Sequence, residues 1–557
     1  MTHRVHPVLA GAASLLLGAS LTWAGESSPT APAFSEAAYR AHIERLSSDE
    51  FEGRAPGTEG EKKTLAYIEQ QFRAAGLAPG IGDSFLQAVP VVEIATHPDE
   101  TMAIRGGKGS TALRHGDDMV VWTRQPVAES RVADAELVFA GYGIVAPEYG
   151  WNDYAGVDMR GKIAIVLVND PGFATQDPQL FTGNAMTYYG RWTYKYEEAL
   201  RQGAAGLFVV HETRPAGYPW EVVRNGSTSQ IDLRIDDYAS QRLALEGWMT
   251  QEAAQRVLAL AGEDYEQLKQ AAADRRFRPR PLGIQASVGV RNDVKFSTTY
   301  NVVGLVPGRK RPGEHFLYTA HWDHLGKSEG ADDSHVDTIF NGASDNATGI
   351  AALIELGRAF AATQPRPERS VMFVAVTAEE SGLLGSQHFA ENPPATAANM
   401  AGGLNMDNLY PIGRTRDITV IGYGASELDE YLRRAAAKQQ RVLVQEPSPE
   451  KGFYYRSDHF NLARHGVPML YTKAGIDSPT KGPEYGRAWL DDYVANRYHK
   501  PSDEYDPAWD VSGTLQDLEL YYDVGLAVAN ESGWPNWREG SEFRAIRDRS
   551  RAAVAAP

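Results

Sequence analysis

The sequence predicts an α/β protein, with a mixed, mostly parallel sheet covered by helices on both faces and a second, β-rich part inserted into it. Three observations lead there. Apolar runs at 316–320, 371–376, 418–421 and 468–471 alternate with stretches of helical period, the pattern of strands joined by crossover helices. A block at 101–291 differs, with short strand-like runs separated by glycines. Finally, the 557 residues exceed one ordinary domain, and with 43% hydrophobic residues they can bury a large core.

Taken in order, residues 1–24 read as an export signal. Arg4 lies in a short polar lead, 8–21 form an apolar core, and a cleavage position follows Ala24. That core is short and rich in small residues, and no later stretch offers about 18 uninterrupted apolar residues, so no stable membrane insertion is expected. The chain thus reads as exported, periplasmic or secreted. After a Ser/Pro/Ala linker, Ser35 caps a helix carrying Tyr39, Ile43 and Leu46, and a second helix with Leu65, Ile68 and Phe72 stops at Gly76. Between them GRAPGTEGE, 53–61, reads as a turn-rich scaffold connection.

Within 101–291, residues 137–139, 161–168 and 206–210 read as strands and 194–202 as a helix. His211 and the aromatics Tyr188, Tyr189, Trp192, Tyr194 and Tyr196 suit packing or a substrate-side surface. A helical stretch at 263–281 ends in an Arg/Pro run that looks like a domain exit. The divisions expected are therefore 1–24, 33–100 (a helical part of the main domain), 101–291 (the insert), 292–535 (the main domain) and 536–557. The last is a tail whose Arg/Ala-rich end should fray.

Composition narrows the chemistry. A formal charge of −17 argues against nucleic-acid binding, which needs Lys and Arg to neutralise phosphates. With no cysteine, thiolate catalysis and Cys-ligated metals are excluded, so a transition metal has to be held by His, Asp and Glu.

Those residue types recur at the ends of the predicted strands, where open α/β sheets gather their ligands. The run 316–320 passes into His321 and Asp323, and 371–377 leads to Glu379 and Glu380. Met406 leads to Asp407, Asp345 precedes a helix beginning near Thr348, and His499 lies in a late loop. Taken singly, His321 also reads as a core histidine, Asp345 as a helix cap and the Glu pair as a solvated turn. Together, His321, Asp345, Glu380, Asp407 and His499 form an N/O set able to hold two divalent cations about 3.5–4 Å apart if one carboxylate bridges. Zinc suits the mix, and cobalt or manganese would fit. Adjacent Glu379 and Glu380 point to opposite sides of an extended chain, so one can bind metal while the other acts as a base. Asp323 is placed to accept the second N–H of His321. His324, Asp332, Asp333, His335 and Asp337 read as a solvated polar loop, and His459 as a structural or pocket residue.

The segments HWDHLG, SDNATG, AEESGLLGS, NMDNL, FYYRSDHF and YHKPSDEYD, in this order over 301–532, resemble peptidase family M28, the co-catalytic di-zinc aminopeptidases. The insert, with VFAGYGI and a GK-hydrophobic strand, resembles the protease-associated (PA) domain often found in them. The resemblance implies a zinc-exopeptidase fold and two Zn2+ per chain. One ion would be held by His321 and Asp407 and the other by Glu380 and His499, with Asp345 bridging. Glu379 would be the general base, Asp323 the partner of His321, and Tyr498 a donor to the oxyanion. It also implies a cis Asp345–Asn346 peptide, and Asn346 departs from the Asp that many members carry there.

The function expected is an exported metallo-exopeptidase acting on peptides, most simply an aminopeptidase. A carboxypeptidase or acidic-dipeptide hydrolase on the same scaffold needs a cationic clamp, for which Lys451, Arg456 and Arg497 are the candidates in sequence. A receptor-like binding protein of this family would hold no metal. A serine hydrolase is disfavoured, because neither 342–346 nor 424–428 completes G-x-S-x-G.

Overall fold

Period-two alternation on the central strands explains why one sheet is covered on both faces. The computed structural model describes residues 1–3, 33–226, 228–328 and 337–555. The leader core and cleavage position, and Asp332, Asp333 and His335 of the polar loop, lie outside them. The chain enters through α1 (Glu36–Leu46) and α2 (Glu59–Ala74), leaves along β1 (Leu86–Pro98) and returns on β2 (Arg280–Val306). There follow β3 (Arg311–His321), α3 (Thr348–Ala362), β4 (Arg369–Val376), α4 (Leu384–Glu391) and β5 (Met400–Asn405). Next come β6 (Asp417–Ile421), α5 (Leu428–Lys438), β7 (Val442–Gln445), α6 (His459–Arg464) and β8 (Met469–Ala474). The last helices are α7 (Pro483–Asn496), α8 (Ser512–Asn530) and α9 (Arg544–Ala555).

The strand order is β1–β2–β4–β3–β5–β8–β6–β7, in which the central β4, β3, β5 and β8 are mutually parallel. The sheet is therefore mixed and mostly parallel, as expected. On β3, Phe316, Tyr318 and Ala320 join a core with Tyr39, Ile350, Phe360 and Tyr522 from the helices of one face. Leu317 packs the other way, with Phe389 of α4 and Leu462 of α6. Burying a side chain of this size contributes about 1.5–3 kcal/mol, and a one-residue slip of β3 would exchange the side chains of the two cores and mispack both. The parallel strands consequently deliver their carboxyl ends to one edge. The sequence-predicted caps also form, with Ser35 accepting from Ala38 N at 3.2 Å.

Between β1 and β2 the chain builds a second body. Its strands Ile163–Leu167, Gly206–His211 and Leu245–Thr250 are parallel neighbours, and Met119–Trp122 closes one edge antiparallel. Ile163, Ile165 and Leu167 face one apolar core, and Ala164 and Val166 another. The Arg/Pro run before 281, read as an exit from the insert, leads instead into one unbroken strand. β2 pairs with β1 from Val302↔Leu86 to Val290↔Pro98 and continues into the main sheet. The two bodies are joined by a hydrogen-bonded ribbon rather than a loose linker, because both strands keep the alternation that ladder pairing needs.

The C-terminal end is also a correction. The Arg/Ala-rich residues expected to fray form α9, and buried Arg547 donates to Ala397 O at 3.0 Å and Met400 O at 2.8 Å. Its arginines satisfy carbonyls at the start of β5, which composition alone does not reveal.

The GRAPGTEGE turn does more than connect helices. Arg54, fully buried, donates to Leu46 O (2.7 Å), Trp322 O (2.9 Å), Asn341 O (2.7 Å) and Gly342 O (2.9 Å). It thereby ties the loop after His321 to the loop before Asp345. Replacing it by Met leaves these buried carbonyls without a donor. Arg54→Met is expected to lower unfolding free energy by about 3 kcal/mol in chemical denaturation, and zinc affinity with it.

Candidate metal centre

Each predicted ligand lies at the edge to which β4, β3 and β5 point, or on a loop folded over it. His321 is the last residue of β3, Glu379 and Glu380 follow β4, and Asp407 follows β5. Asp345 precedes α3, and His499 follows α7. The loop before Asp345 turns at Gly342, with φ 51°, where a Cβ would overlap the Asp345 carbonyl and crowd the His324 ring. Ala378, Asn408 and His499 also have left-handed φ values of 50°, 62° and 56°. Such backbone costs about 1–3 kcal/mol per residue and persists only where surrounding structure imposes it.

All five ligand candidates converge. His321 Nε2 is 3.2 Å from Asp345 Oδ1 and 3.8 Å from Asp407 Oδ1. His499 Nε2 is 3.4 Å from Asp345 Oδ2 and 3.1 Å from Glu380 Oε2. The two oxygens of Asp345 thus face different imidazoles. Glu379 and Glu380 diverge, Glu379 toward His321 and Asp407 and Glu380 toward His321 and Asp345. The Asp345–Asn346 peptide is cis. Asn346 accepts from Gly349 N (3.0 Å) and Asn408 N (2.9 Å) and donates to Met406 O (3.0 Å), so its amide is spent on the backbone. Tyr498 stacks on His499 with ring centroids 3.9 Å apart and is 43% exposed.

Asp323 departs from expectation. The Nδ1 of His321 lies 3.1 Å from the Asp323 carbonyl oxygen and 3.9 Å from its carboxylate. That carboxylate instead accepts from Glu379 N (3.1 Å) and Glu380 N (3.3 Å). Through main chain and side chain, Asp323 orients both the histidine and the Glu pair. His324, read as solvated, is a second correction, because it is buried with Nδ1 2.7 Å from Glu380 Oε1.

The electrostatics are those of a site short of positive charge. Against the cost of burial, Glu379, Asp345 and Asp407 hold the His321 imidazole well above its ordinary range. Against the same cost, Glu380 and Asp345 raise His499 to about 10. Burial and Asp345 push Glu380 upward, but His499 and His324 bring it down to about 2. Glu379 behaves differently. Burial, with Glu380, Asp458 and Asp407 nearby, keeps its carboxyl well above the usual range despite His321. Four carboxylates gathered around imidazoles that are driven to carry charge make a donor set that divalent cations fit.

Sequence reasoning missed the residues that hold these ligands in place. Asp503 accepts from Asp345 N at 3.0 Å and from Ser344 N. Asp407 Oδ2 accepts from Ser457 Oγ (2.6 Å) and the Tyr471 hydroxyl (3.1 Å), while Lys473 Nζ donates to the Asp407 carbonyl. Ser457 and Asp503 fall inside the quoted motifs, which was the available signal, whereas nothing in the sequence singles out Tyr471 or Lys473.

Residues 301–522 match the model of peptidase family M28. A "Probable zinc metalloprotease" of Pyrenophora tritici-repentis is 33% identical over 227 residues, 39% of this chain and 45% of the relative. "Aminopeptidase NAALADL1" of Mus musculus is 31% identical over 115 residues, 20% of this chain and 14% of the relative. The chain spans less than half the length of these curated relatives. Among solved structures, the aminopeptidase from Aneurinibacillus sp. strain AM-1 is 19% identical, covering 90% of this chain and 95% of its own with a TM-score of 0.49. The matched segment carries the whole cluster from His321 to His499.

Proposed function

We propose that the chain is an exported, zinc-dependent aminopeptidase that removes N-terminal residues from peptides. The observation that carries this reading is Asp345, whose Oδ1 and Oδ2 face His321 and His499 at 3.2 and 3.4 Å, with Asp407 beside the first and Glu380 beside the second. His321 with Asp407 would hold one ion and His499 with Glu380 the other, with Asp345 shared. Bound there, divalent cations supply Lewis acidity to a peptide carbonyl and lower the pKa of water.

The chain's own groups do the rest. Among the described residues the Glu379 carboxylate has no hydrogen bond or ion pair, and its raised proton affinity suits it to take the proton of the attacking water and return it to the leaving amine. Asp323 fixes that carboxylate through the Glu379 and Glu380 amides. The Tyr498 hydroxyl, without a hydrogen bond among the described residues, would donate to the developing oxyanion. Filled ligand positions speak against a metal-free receptor. The aminopeptidase name of one relative favours a free amino terminus in the substrate. The leader-like start supports export, no helix among the described residues is long and apolar enough to cross a membrane, and the second body is proposed to be a PA domain.

Glu379→Gln is expected to retain zinc by elemental analysis while turnover falls about 100- to 10,000-fold, and normal activity would remove Glu379 from its role. Chelation should lower Tm and zinc should restore it, since a ligand at 100 times its Kd stabilises by about 2.7 kcal/mol. A Tm indifferent to zinc would count against the metal centre. Finally, leucyl p-nitroanilide should be cleaved in a chelator-sensitive manner and an N-acetylated peptide left intact. Cleavage of the blocked peptide alone would make the enzyme a carboxypeptidase.

A further inference from the structure

His324 carries a buried imidazole whose two nitrogens are treated unequally. Its Nδ1 lies 2.7 Å from Glu380 Oε1, and its ring packs edge-on against His499, with centroids 5.7 Å apart and planes at 73°. It therefore contacts both residues proposed to hold one of the two ions together with the shared Asp345. An ionised carboxylate only accepts, so the proton of the Glu380 contact sits on Nδ1. The other nitrogen, Nε2, is buried with no hydrogen-bond partner among the described residues. The polar reach of this ring is thus spent on a single carboxylate oxygen.

The ring is held there by close backbone packing. A Cβ on Gly342 would come within 2.6 Å of His324 Cγ and Cδ2, so only bare glycine backbone fits against the imidazole. Arg54 grips the chain on both sides, donating to Trp322 O and Gly342 O at 2.9 Å each. Neither segment can withdraw without breaking a buried hydrogen bond. With the imidazole fixed, Glu380 Oε1 is occupied, and Oε2 turns to His499 at 3.1 Å. Asp407, on the side of the other ion, is treated alike by different groups. Its Oδ2 accepts from Ser457 Oγ (2.6 Å) and the Tyr471 hydroxyl (3.1 Å), while Oδ1 faces His321 at 3.8 Å.

We propose that His324 is a positioning residue for the ion beside His499, restricting Glu380 to binding through Oε2 alone. This rests on the dinuclear peptidase reading and deepens it. A carboxylate that offers one oxygen in place of two leaves a coordination position open for water or a peptide group, which catalytic sites need and closed structural sites lack. Because Asp407 has its own supporting hydroxyls, loss of His324 should act on one ion of the two.

The test is zinc titration of the chelator-treated full chain against a competing chelator, read as the two dissociation constants and their ratio. Two amides separate the ring nitrogens. Asparagine places its Nδ2 where Nδ1 lies, whereas glutamine carries its amide out to the Nε2 position and leaves Glu380 without a donor. His324→Gln is expected to weaken one zinc site about 10- to 100-fold and leave the other within about threefold, the usual effect of removing a partner behind a metal ligand. His324→Asn should bring the weakened site back to within a few-fold of wild type. His324→Ser, too short to reach Glu380, is a second donor-free variant and should match His324→Gln. Unchanged affinities in the Gln and Ser variants overturn the proposal. So does equal weakening of both sites in all three, which would make His324 a packing residue, and so does loss in Asn but not in Gln, which would transfer the role to Nε2. In each of these cases the peptidase reading stands. A wild-type chain that binds no zinc fails that reading instead, and the positioning role with it.

Discussion

The structure depends on one electrostatic constraint: Asp323, Asp345, Glu379, Glu380 and Asp407 are brought together at the carboxyl edge of the parallel strands, largely out of water. Isolated buried carboxylates cost several kcal/mol each, so the surroundings must answer them. Backbone amides answer part of the charge, those of Glu379 and Glu380 turning onto Asp323. Arg54 sits beneath the cluster, where Asp323, Asp503, Asp345 and Glu380 partly offset its own burial. What these leave over falls on His321 and His499, and the donor set that results is one for divalent cations.

The same constraint explains why the supporting residues are polar and buried. Asp503 holds the Asp345 amide, Ser457 and Tyr471 hold Asp407, and His324 holds Glu380. Each fixes a candidate ligand from behind, so that its rotamer is set by the protein alone. Left-handed backbone at Ala378, Asn408 and His499 has the same origin, since it turns the chain sharply where a strand or helix must hand over a ligand.

The convergence of His321, Asp345, Glu380 and Asp407 was legible in the sequence because each closes an apolar run or precedes a helix, whereas His499, in a loop after α7, was found through its motif. The helix caps and the strand alternation were legible for the same local reason. Supporting contacts were not. Arg54 reaches carbonyls 268 to 288 residues away, and the sequence around it reads only as a turn. His324 looked solvated because it begins a polar loop, yet its ring points inward to Glu380. Asp323 was assigned to the right partner through the wrong atom, as spacing places a residue but not its carbonyl or carboxylate. The Arg/Pro run before 281 marked the start of a strand, since composition registers a change of texture and not whether the chain stays hydrogen-bonded across it.

The unbroken ribbon also fixes how the two bodies are held together. β1 and β2 are paired along 13 residues, so the second body cannot swing on a flexible tether without breaking ladder bonds. Its 184–197 stretch is therefore presented to the 449–460 loop as a fixed surface, and the contacts at Met186, Tyr188 and Glu197 are those of a standing interface. On this view the insert is held against the main body as a fixed wall, by the ladder on one side and by the contacts at 449–464 on the other.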